Sequence, residues 1–546
     1  MKSILRFAIL GFTTTLIFAQ DPHARPDSRP VVLLPGLGHH QHPISTTNPE
    51  AQKFFDQGLV LVYGFNREEA IRSFKRAAEL DPESPMPYWG IALAHGYHLN
   101  MDMDMDVHSG AAFEAIQKAV ALSAHAPQYE RDYVTALARR CSSDPHVEEA
   151  KLAMDYKNAM AQLAARYPDD TDAATLSAES WMDLDRYDWY EATGQPKPAT
   201  DEILLLLESI LRREPDHPGA NHLYVHVLDT SPHPERALAS AYRLAEVAPG
   251  AGHLVHMAGH IFWSFGDYQM AANINENAVK ADRTYVQLTG VDDSVYSEAY
   301  YAHNLHFISR SYTELGRYEK AKEAADVLAQ HVLPAYSNMP GMVDGYLPNP
   351  FLVLLRFHRW DEVLQYPKPD PRMGMSIALW HYARAVALAA KGDRKSALEE
   401  HDAFEKSRPA VRATTEFFSN PPGKIIEVAA AVLEARLATD TAKAIPLWEK
   451  AVALQDALAY DEPPPWDYPV RGSLGTALLR AGRTAEAEAV FREDLLRNPR
   501  NPRGLFGLWK SLVSQHKTVA AGWVQRQFEE AWKSADFKLR DEILDE

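Results

Sequence analysis

The stretch EAQKFFDQGLVLVYGFNREEAIRSFKRAAELDP, residues 50–82, decides the fold. Small residues, one aromatic residue and a closing proline occupy fixed positions in it, at Gly58, Ala70, Phe74, Ala77 and Pro82. Small residues let the first helix of a pair approach the second, the aromatic ring fills the gap to the next pair, and the proline ends the second helix. The stretch therefore predicts two antiparallel helices that repeat along the chain.

The same spacing returns in four later segments, 256–282, 304–328, 378–409 and 473–499. A period near 34 residues with this pattern is typical of tetratricopeptide repeats, and about a dozen helix pairs fit between Glu50 and Phe537. We therefore predict an all-α protein, a tetratricopeptide-like α-solenoid over residues 50–540. An extended arm rich in Pro, Gly and His, residues 20–49, precedes it.

The net charge and the N-terminal residues indicate which partners and which compartment to expect. The net charge of -18, from 74 Asp+Glu against 56 Lys+Arg, disfavours nucleic acid and anionic membranes as partners. Lys2 and Arg6 precede the apolar run Phe7–Ala19, which predicts an export signal over residues 1–19. No later run reaches about 18 apolar residues, so no membrane span is expected after cleavage. The single cysteine, Cys141, excludes an intramolecular disulfide, and we predict a periplasmic or secreted protein of a bacterial envelope.

Histidines in the middle of the chain recur at helical spacing. Within each of the segments 221–229, 252–260 and 301–307 they lie three, four or seven residues apart, which places them on one face of a helix. They also share positions in the repeat frame, so neighbouring helices should bring them to one wall of a concave groove. The set comprises His222, His226, His253, His256, His260, His303 and His306.

Two carboxylates complete the predicted site within residues 171–310. Glu179 lies one repeat upstream, and Asp229 follows the first histidines on the same helix face. Imidazole with carboxylate is a ligand set for zinc, copper or iron, so we predict a bound transition metal. No catalytic residue is assigned.

Two alternatives to this reading stay open. One is a metal-free scaffold that binds a protein or peptide in the groove, with the histidines as polar contacts. The other is a metal-dependent hydrolase or oxidoreductase, in which the metal activates water and a spare histidine acts as base. For that enzyme the inserted loop Thr284–Tyr301 is the expected lid.

The segment PVVLLPGLGHHQHPIST, residues 30–46, is expected to dock on the solenoid through its apolar residues. We interpret its histidines, His39, His40 and His42, as polar residues of a docked arm rather than as further metal ligands. A second insertion, Met101–Gly110, alternates Met and Asp between two helices.

Several longer motifs carry a family resemblance. They are PGLGHHQHPIST (35–46), NHLYVH (221–226), PGAGHLVHM (249–257), YYAHNLHF (300–307), ALWHYARA (378–385) and DEPPPWDYPVR (461–471). In these the chain resembles exported bacterial tetratricopeptide repeat proteins with an N-terminal PGLG-H-H-P-I-S-T element, over nearly the whole mature chain. The resemblance implies the repeat fold and export, and no activity. Two positions depart from it, since Ala258 replaces an expected proline and Gly472 replaces an expected glutamate.

Overall fold

The computed structural model describes residues 29–100, 109–144, 146–191, 193–412 and 419–539. The export signal predicted over residues 1–19, the arm residues 20–28 and the insertion residues 101–108 lie outside this part of the chain. Among the helices of the described ranges, none is long and apolar enough to cross a membrane.

The described chain is built from α-helices that follow one another in antiparallel pairs. The first twelve are α1 (Pro49–Tyr63), α2 (Arg67–Leu80), α3 (Pro85–Ala94), α4 (Ser109–Leu122), α5 (Gln128–Ala138), α6 (Glu149–Arg166), α7 (Thr171–Met182), α8 (Pro198–Arg213), α9 (Pro218–Asp229), α10 (Leu238–Val247), α11 (Gly252–Ser264) and α12 (Tyr268–Thr289).

The C-terminal half continues in the same way. Its helices are α13 (Tyr301–Glu314), α14 (Tyr318–Val332), α15 (Pro340–Tyr346), α16 (Asn349–Arg356), α17 (Trp360–Gln365), α18 (Gly374–Ala390), α19 (Arg394–Arg412), α20 (Pro422–Arg436), α21 (Thr441–Asp456), α22 (Val470–Arg480), α23 (Thr484–Arg497), α24 (Pro502–Ser514) and α25 (Thr518–Ala531). The predicted all-α solenoid of tetratricopeptide type is confirmed.

The small and aromatic positions of the repeat have the packing role that the sequence predicts. Phe74 of α2 lies between Gly58 of α1 and Gly90 of α3, where an added Cβ would come within 2.6 and 2.5 Å of the ring. Phe491 of α23 lies in the same way between α22 and α24. Because only glycine leaves room for the ring, these positions fix the spacing between helices.

Both ends of the described chain fold back onto the middle repeats. The arm contacts the loop before α11, where Gly250 N donates to Gly36 O at 2.7 Å. From the other end, Asn501 Nδ2 donates to Glu314 Oε2 at 2.8 Å. The sequence predicts the central histidines on the wall of a concave groove; in the structure those of α9 and α11 are buried, at most 8% exposed.

The predicted inserted loop Thr284–Tyr301 is mostly helical. Helix α12 continues to Thr289, and a π-helical turn, Tyr296–Tyr300, leads directly into α13. The buried Tyr296 hydroxyl donates to Asp282 Oδ1 at 2.9 Å and accepts from His253 N at 3.0 Å. The expectation of a loop was wrong because the turn residues after Gly290 span only a short break, and buried tyrosine contacts hold the rest in helical form.

We expect Gly475→Ala to destabilise the solenoid. The new methyl group would lie 2.6 Å from the Phe491 ring. Overpacking of this kind costs about 1–3 kcal/mol, offset in part by a gain of about 1 kcal/mol in helix propensity. Thermal denaturation followed by circular dichroism measures the difference.

The matched control is Gly522→Ala in α25, where an added Cβ meets nothing within 4 Å. This variant should be as stable as the parent or more stable. Equal melting temperatures for the two variants would contradict the role assigned to the glycine–phenylalanine contact.

Candidate metal centre

The structure brings six of the seven predicted histidines together as two neighbouring sets. Each residue of a set offers one ring nitrogen, and the three nitrogens of the set lie within 4.8 Å of one another. The first histidine set is His222, His226 and His253, from α9 and α11. The second histidine set is His256, His260 and His303, from α11 and α13.

Helical spacing and side-by-side packing together produce the two sets. Helix α11 packs between α9 and α13, and its histidines reach both neighbours. His253 therefore faces α9, whereas His256 and His260 face α13. The sets adjoin each other, with ring centroids 5.7 Å apart for His253 and His256 and 6.4 Å apart for His226 and His260.

The first histidine set presents ring nitrogens that lack hydrogen-bond partners. His222 Nδ1 lies 2.6 Å from Tyr63 O. A carbonyl oxygen only accepts, so Nδ1 carries the proton and Nε2 carries a free lone pair. That Nε2, the Nε2 of His226 and both ring nitrogens of His253 are buried without a hydrogen bond. These nitrogens are available to a metal ion.

The second histidine set brings two ring nitrogens face to face. His256 Nδ1 lies 2.7 Å from Asn275 Oδ1, and Asn275 Nδ2 donates to Ala271 O at 2.8 Å, which fixes the amide orientation. His256 therefore directs an unprotonated Nε2 at His260 Nε2, 2.9 Å away. His260 can donate an Nε2 proton to this lone pair; in its other tautomer the two Nε2 lone pairs oppose each other, and a cation between them removes the repulsion.

Asp229 lies behind both sets rather than within one. Its Oδ2 is 3.3 Å from His260 Nδ1 and 3.9 Å from His226 Nδ1. A carboxylate in this position orients a metal-bound imidazole and fixes its tautomer. Burial raises the pKa of Asp229 well above its ordinary value, and a nearby cation would favour the ionised form. Asp229 is predicted as a metal ligand; its carboxylate lies beside His260 and His226 and outside both histidine sets.

Burial keeps the imidazoles neutral. Five of the six are buried, at most 8% exposed, and His303 is half-buried. Burial is the main cause that lowers the pKa of His222 and of His260 to about 3; in His222 the hydrogen bond to Tyr63 O opposes this shift and neighbouring imidazoles add to it. Neutral imidazole is the form that binds metal. At neutral pH these side chains can therefore bind a metal ion without first releasing a proton from a charged ring.

Two predicted residues stay outside both sets. Glu179 Oε1 accepts a hydrogen bond from Arg67 Nη2 at 3.1 Å, so its charge is compensated by an arginine. His306 is half-buried and packs edge-on against the Tyr346 ring, with centroids 5.3 Å apart. Of the two histidines on α13, only His303 belongs to the second histidine set.

Aromatic rings that were not predicted from the sequence pack against the histidine sets. Phe65, just after α1, lies 4.5 Å from the ring of His222 and 5.3 Å from that of His253. Tyr300, in the π-helical turn, packs edge-on against His253 at 4.7 Å. Phe65 has a left-handed backbone, with φ of 56°, at the turn that ends the first helix. No local signal links it to the first histidine set, because His222 and His253 lie more than 150 residues further along the chain.

A separate cluster fastens the arm to the solenoid around Asp172. His40 Nε2 lies 2.9 Å from its Oδ1, His42 Nδ1 lies 2.8 Å from its Oδ2, and His217 Nε2 lies 3.3 Å from Oδ1. Burial opposes protonation of His40, but the Asp172 carboxylate outweighs it and raises the pKa of His40 to about 10. His40 and His42 are thus charged partners of a docked arm, while Asp172 and His217 were not predicted.

Although its atoms lie close enough to hold an ion, the Asp172 cluster differs from the histidine sets. His217 Nδ1 accepts from Ala220 N, so its Nε2 carries the proton, and Tyr63 also donates to Asp172. Donors therefore surround the carboxylate, which is the arrangement of a satisfied hydrogen-bond network. In the first histidine set, by contrast, ring nitrogens converge without a hydrogen bond.

The comparisons with known proteins address the fold. A tetratricopeptide repeat model matches residues 302–326, which include His303 and His306. None of the curated proteins matches this chain. Together, the matched repeat and the helix pairs define a tetratricopeptide-type α-solenoid.

Two solved structures are similar to the chain over most of its length. One is human IFIT1, a dimer with PPP-AAAA, at 15% identity over 87% of this chain and 88% of that chain, with a TM-score of 0.32. The other is yeast Tom70, at 14% identity over 87% and 96%, with a TM-score of 0.33. At these scores neither likeness bears on the function of this chain.

We expect the metal-free protein to lose stability as the pH falls below about 6.5. The unfolded chain takes up protons at its histidines there, whereas His222 in the fold resists protonation down to about 3. For each such imidazole, the free energy of unfolding falls by about 1.4 kcal/mol per pH unit as the pH decreases through this range. Urea denaturation at several pH values measures the slope.

His222→Gln should make this acid slope shallower by about 1.4 kcal/mol per pH unit, since glutamine does not titrate and can still donate to Tyr63 O. His125→Gln, at an exposed position, serves as the control and should leave the slope unchanged. A stability that is independent of pH between 6.5 and 4 would show that the imidazoles are not held neutral.

Proposed function

We propose that this protein binds transition-metal ions in a buried centre made of two adjacent three-histidine sites. The observation that carries the proposal is the set of ring nitrogens that converge within 4.8 Å in each histidine set, several of them without a hydrogen bond. We place the centre in a tetratricopeptide-type solenoid that is exported, as residues 1–19 predict.

The energetics of burial favour this proposal over a purely structural role. A buried polar atom without a partner costs about 1–3 kcal/mol. His222, His226 and His253 each bury at least one such ring nitrogen, and all three converge on one point. Apolar side chains of similar size would avoid this cost, whereas a metal ion turns the same nitrogens into ligands.

The donor set narrows the choice of metal. Both sets offer imidazole nitrogen alone, and Cys141, the single cysteine, belongs to neither. Imidazole suits zinc and copper, whereas calcium, magnesium and manganese prefer oxygen ligands. Mononuclear iron sites of the two-histidine type include a carboxylate, and neither set has one. We therefore expect zinc or copper rather than iron.

Three protein ligands per ion leave a fourth tetrahedral position open. Water or a small ligand fills that position in zinc sites of the catalytic type. Here Phe65 and Tyr300 lie against the first histidine set, and Phe307 lies 5.0 Å from His256. Only a small molecule fits at the fourth coordination position beside these aromatic rings.

The repeat fold also fits a protein-binding scaffold. A protein partner would not touch the histidines of the first set, because His222, His226 and His253 are at most 2% exposed. The alternative in which the histidines are polar contacts for a groove-bound peptide therefore has less support than metal binding. A protein partner would use the outer surface of the helix pairs.

We expect the purified full-length protein, depleted of metal and then loaded with zinc or with copper, to retain one ion per histidine set. Loading should also raise the melting temperature, since a ligand at a hundred times its Kd adds about 2.7 kcal/mol. The double variant His226→Gln/His253→Gln should retain only the ion of the second set. His256→Gln/His260→Gln should retain only the ion of the first. Elemental analysis after desalting measures the stoichiometry.

His306→Gln is the matched control, because this histidine shares α13 with His303 but belongs to neither set. It should bind as much metal as the parent. The proposal fails when the parent protein retains no stoichiometric metal, or when His306→Gln lowers the metal content as much as the double variants do.

A further inference from the structure

The N-terminal arm lies against helices that position the first histidine set. Gln57 of α1 holds the arm backbone at two points, since Gln57 Oε1 accepts from Leu34 N at 2.7 Å and Gln57 Nε2 donates to Val32 O at 2.9 Å. Gly36 O accepts from Gly250 N, two residues before α11 begins. The arm is therefore fixed along the first helix and at the start of α11.

The Asp172 cluster connects the arm to the start of α9. His40 Nε2 of the arm lies 2.9 Å from Asp172 Oδ1, and His217 Nε2 lies 3.3 Å from the same oxygen. His217 is the N-cap residue of α9, where its Nδ1 accepts from Ala220 N at 3.2 Å. The arm thereby reaches the helix that supplies two of the three histidines of the first set.

Tyr63, the last residue of α1, joins this cluster directly to a histidine of the first set. Its hydroxyl donates to Asp172 Oδ1 at 2.5 Å, and its carbonyl oxygen accepts from His222 Nδ1 at 2.6 Å. The side chain is buried against the first turn of α9, where an added Cβ at Gly219 would lie 2.5 Å from Tyr63 Cδ1. One closely packed residue therefore contacts the arm cluster through its side chain and a candidate ligand through its backbone.

The two residues after Tyr63 extend this contact to α11. An added Cβ at Gly64 would lie 3.5 Å from Leu254 of α11. The ring centroid of Phe65 is 4.5 Å from that of His222 and 5.3 Å from that of His253. The turn 63–65 therefore packs against both helices of the first set, and its position determines a hydrogen bond and an aromatic contact of the ligands.

The second histidine set is held by a different contact. His256 Nδ1 lies 2.7 Å from Asn275 Oδ1, which belongs to α12, and His303 lies on α13. Both of these helices follow α11 in the chain, whereas the turn 63–65 follows α1. A change at the arm should therefore affect the first set more than the second.

We propose that Tyr63 is a positioning residue through which the docked arm holds the first histidine set in its metal-binding arrangement. This inference rests on the proposed metal-binding function. With the arm docked, Asp172 fixes the Tyr63 side chain, and the Tyr63 carbonyl keeps the proton of His222 on Nδ1, which leaves Nε2 for the metal. Because coupling between two sites is reciprocal, a metal ion in the first set also stabilises the docked arm.

Tyr63→Phe tests the link, because it removes the hydroxyl and keeps both the ring and the carbonyl. The experiment uses the full-length protein loaded with zinc, or with copper where copper is the ion that the parent retains. Transfer of the ion to an excess of a chromogenic chelator gives its dissociation rate. In the His256→Gln/His260→Gln protein, whose ion is that of the first set, we expect Tyr63→Phe to raise this rate at least about tenfold. In the His226→Gln/His253→Gln protein the rate should stay unchanged.

Tyr224→Phe is the matched control for the lost hydroxyl. Tyr224 also lies on α9, and its hydroxyl donates to Glu208 Oε1 at 2.9 Å, a carboxylate of α8 outside the arm cluster. This variant should release the ions of both sets at the parental rates.

Gly38→Ala tests the arm at a place away from Tyr63. Gly38 has a left-handed backbone, with φ of 80°, and an added Cβ would lie 2.3 Å from Val247 O, so the arm has to shift. We expect faster loss of the ion from the first set. Gly392→Ala is the control, since its φ is 82° and an added Cβ meets nothing within 4 Å, so it adds similar backbone strain without moving the arm.

The reciprocal effect is measured by hydrogen exchange of the arm amides between residues 31 and 42. Loading the first set should slow this exchange in the His256→Gln/His260→Gln protein. Loading the second set in the His226→Gln/His253→Gln protein should leave the exchange unchanged.

Two results would overturn the role of Tyr63 and leave the metal proposal intact. One is a first-set ion that leaves Tyr63→Phe and Gly38→Ala no faster than the parent protein. The other is an equal acceleration at both sets, which would indicate a general loss of structure. A parent protein that retains no metal would instead overturn the proposed function, and the role of Tyr63 with it.

Discussion

An imidazole buried among helices without an anionic partner is neutral, and each of its nitrogens then needs a hydrogen-bond partner or a metal. The centre of this solenoid depends on that constraint. Helix α11 packs between α9 and α13, so the histidines of three helices meet where water does not reach. Tyr63 O and Asn275 Oδ1 fix the tautomers of His222 and His256. Ring nitrogens of His222, His226 and His253 converge without a hydrogen bond, and this geometry supports the metal proposal.

The Asp172 cluster and the histidine sets differ in the groups that they bring together. Around Asp172 several donors meet one carboxylate, so the cluster is satisfied by itself and fastens the arm. In the histidine sets the converging groups are ring nitrogens alone, and Asp229, whose pKa is raised by burial, lies behind both sets. The same residue types therefore produce a structural junction in one place and a candidate ligand set in the other.

Much of the fold was predictable because its signals are local. The glycine and phenylalanine positions of residues 50–82 predict the helix pair that α1 and α2 form. Helical spacing also predicts that His253, His256 and His260 share a face of α11. The inserted loop before α13 was predicted wrongly, because the buried contacts of Tyr296 stabilise helix where the sequence shows a turn.

The sequence by itself determined the repeat, the faces of the helices and the histidines that each face carries, because these depend on residues within one or two turns. The tertiary structure decided how those histidines divide into two sets, and that Glu179 and His306 stay outside. It also placed Phe65, Tyr300 and Asp229 around the sets. Such groupings arise from helices packed side by side and from chain ends folded over them. Contacts between residues more than 150 positions apart leave no periodic trace in the sequence.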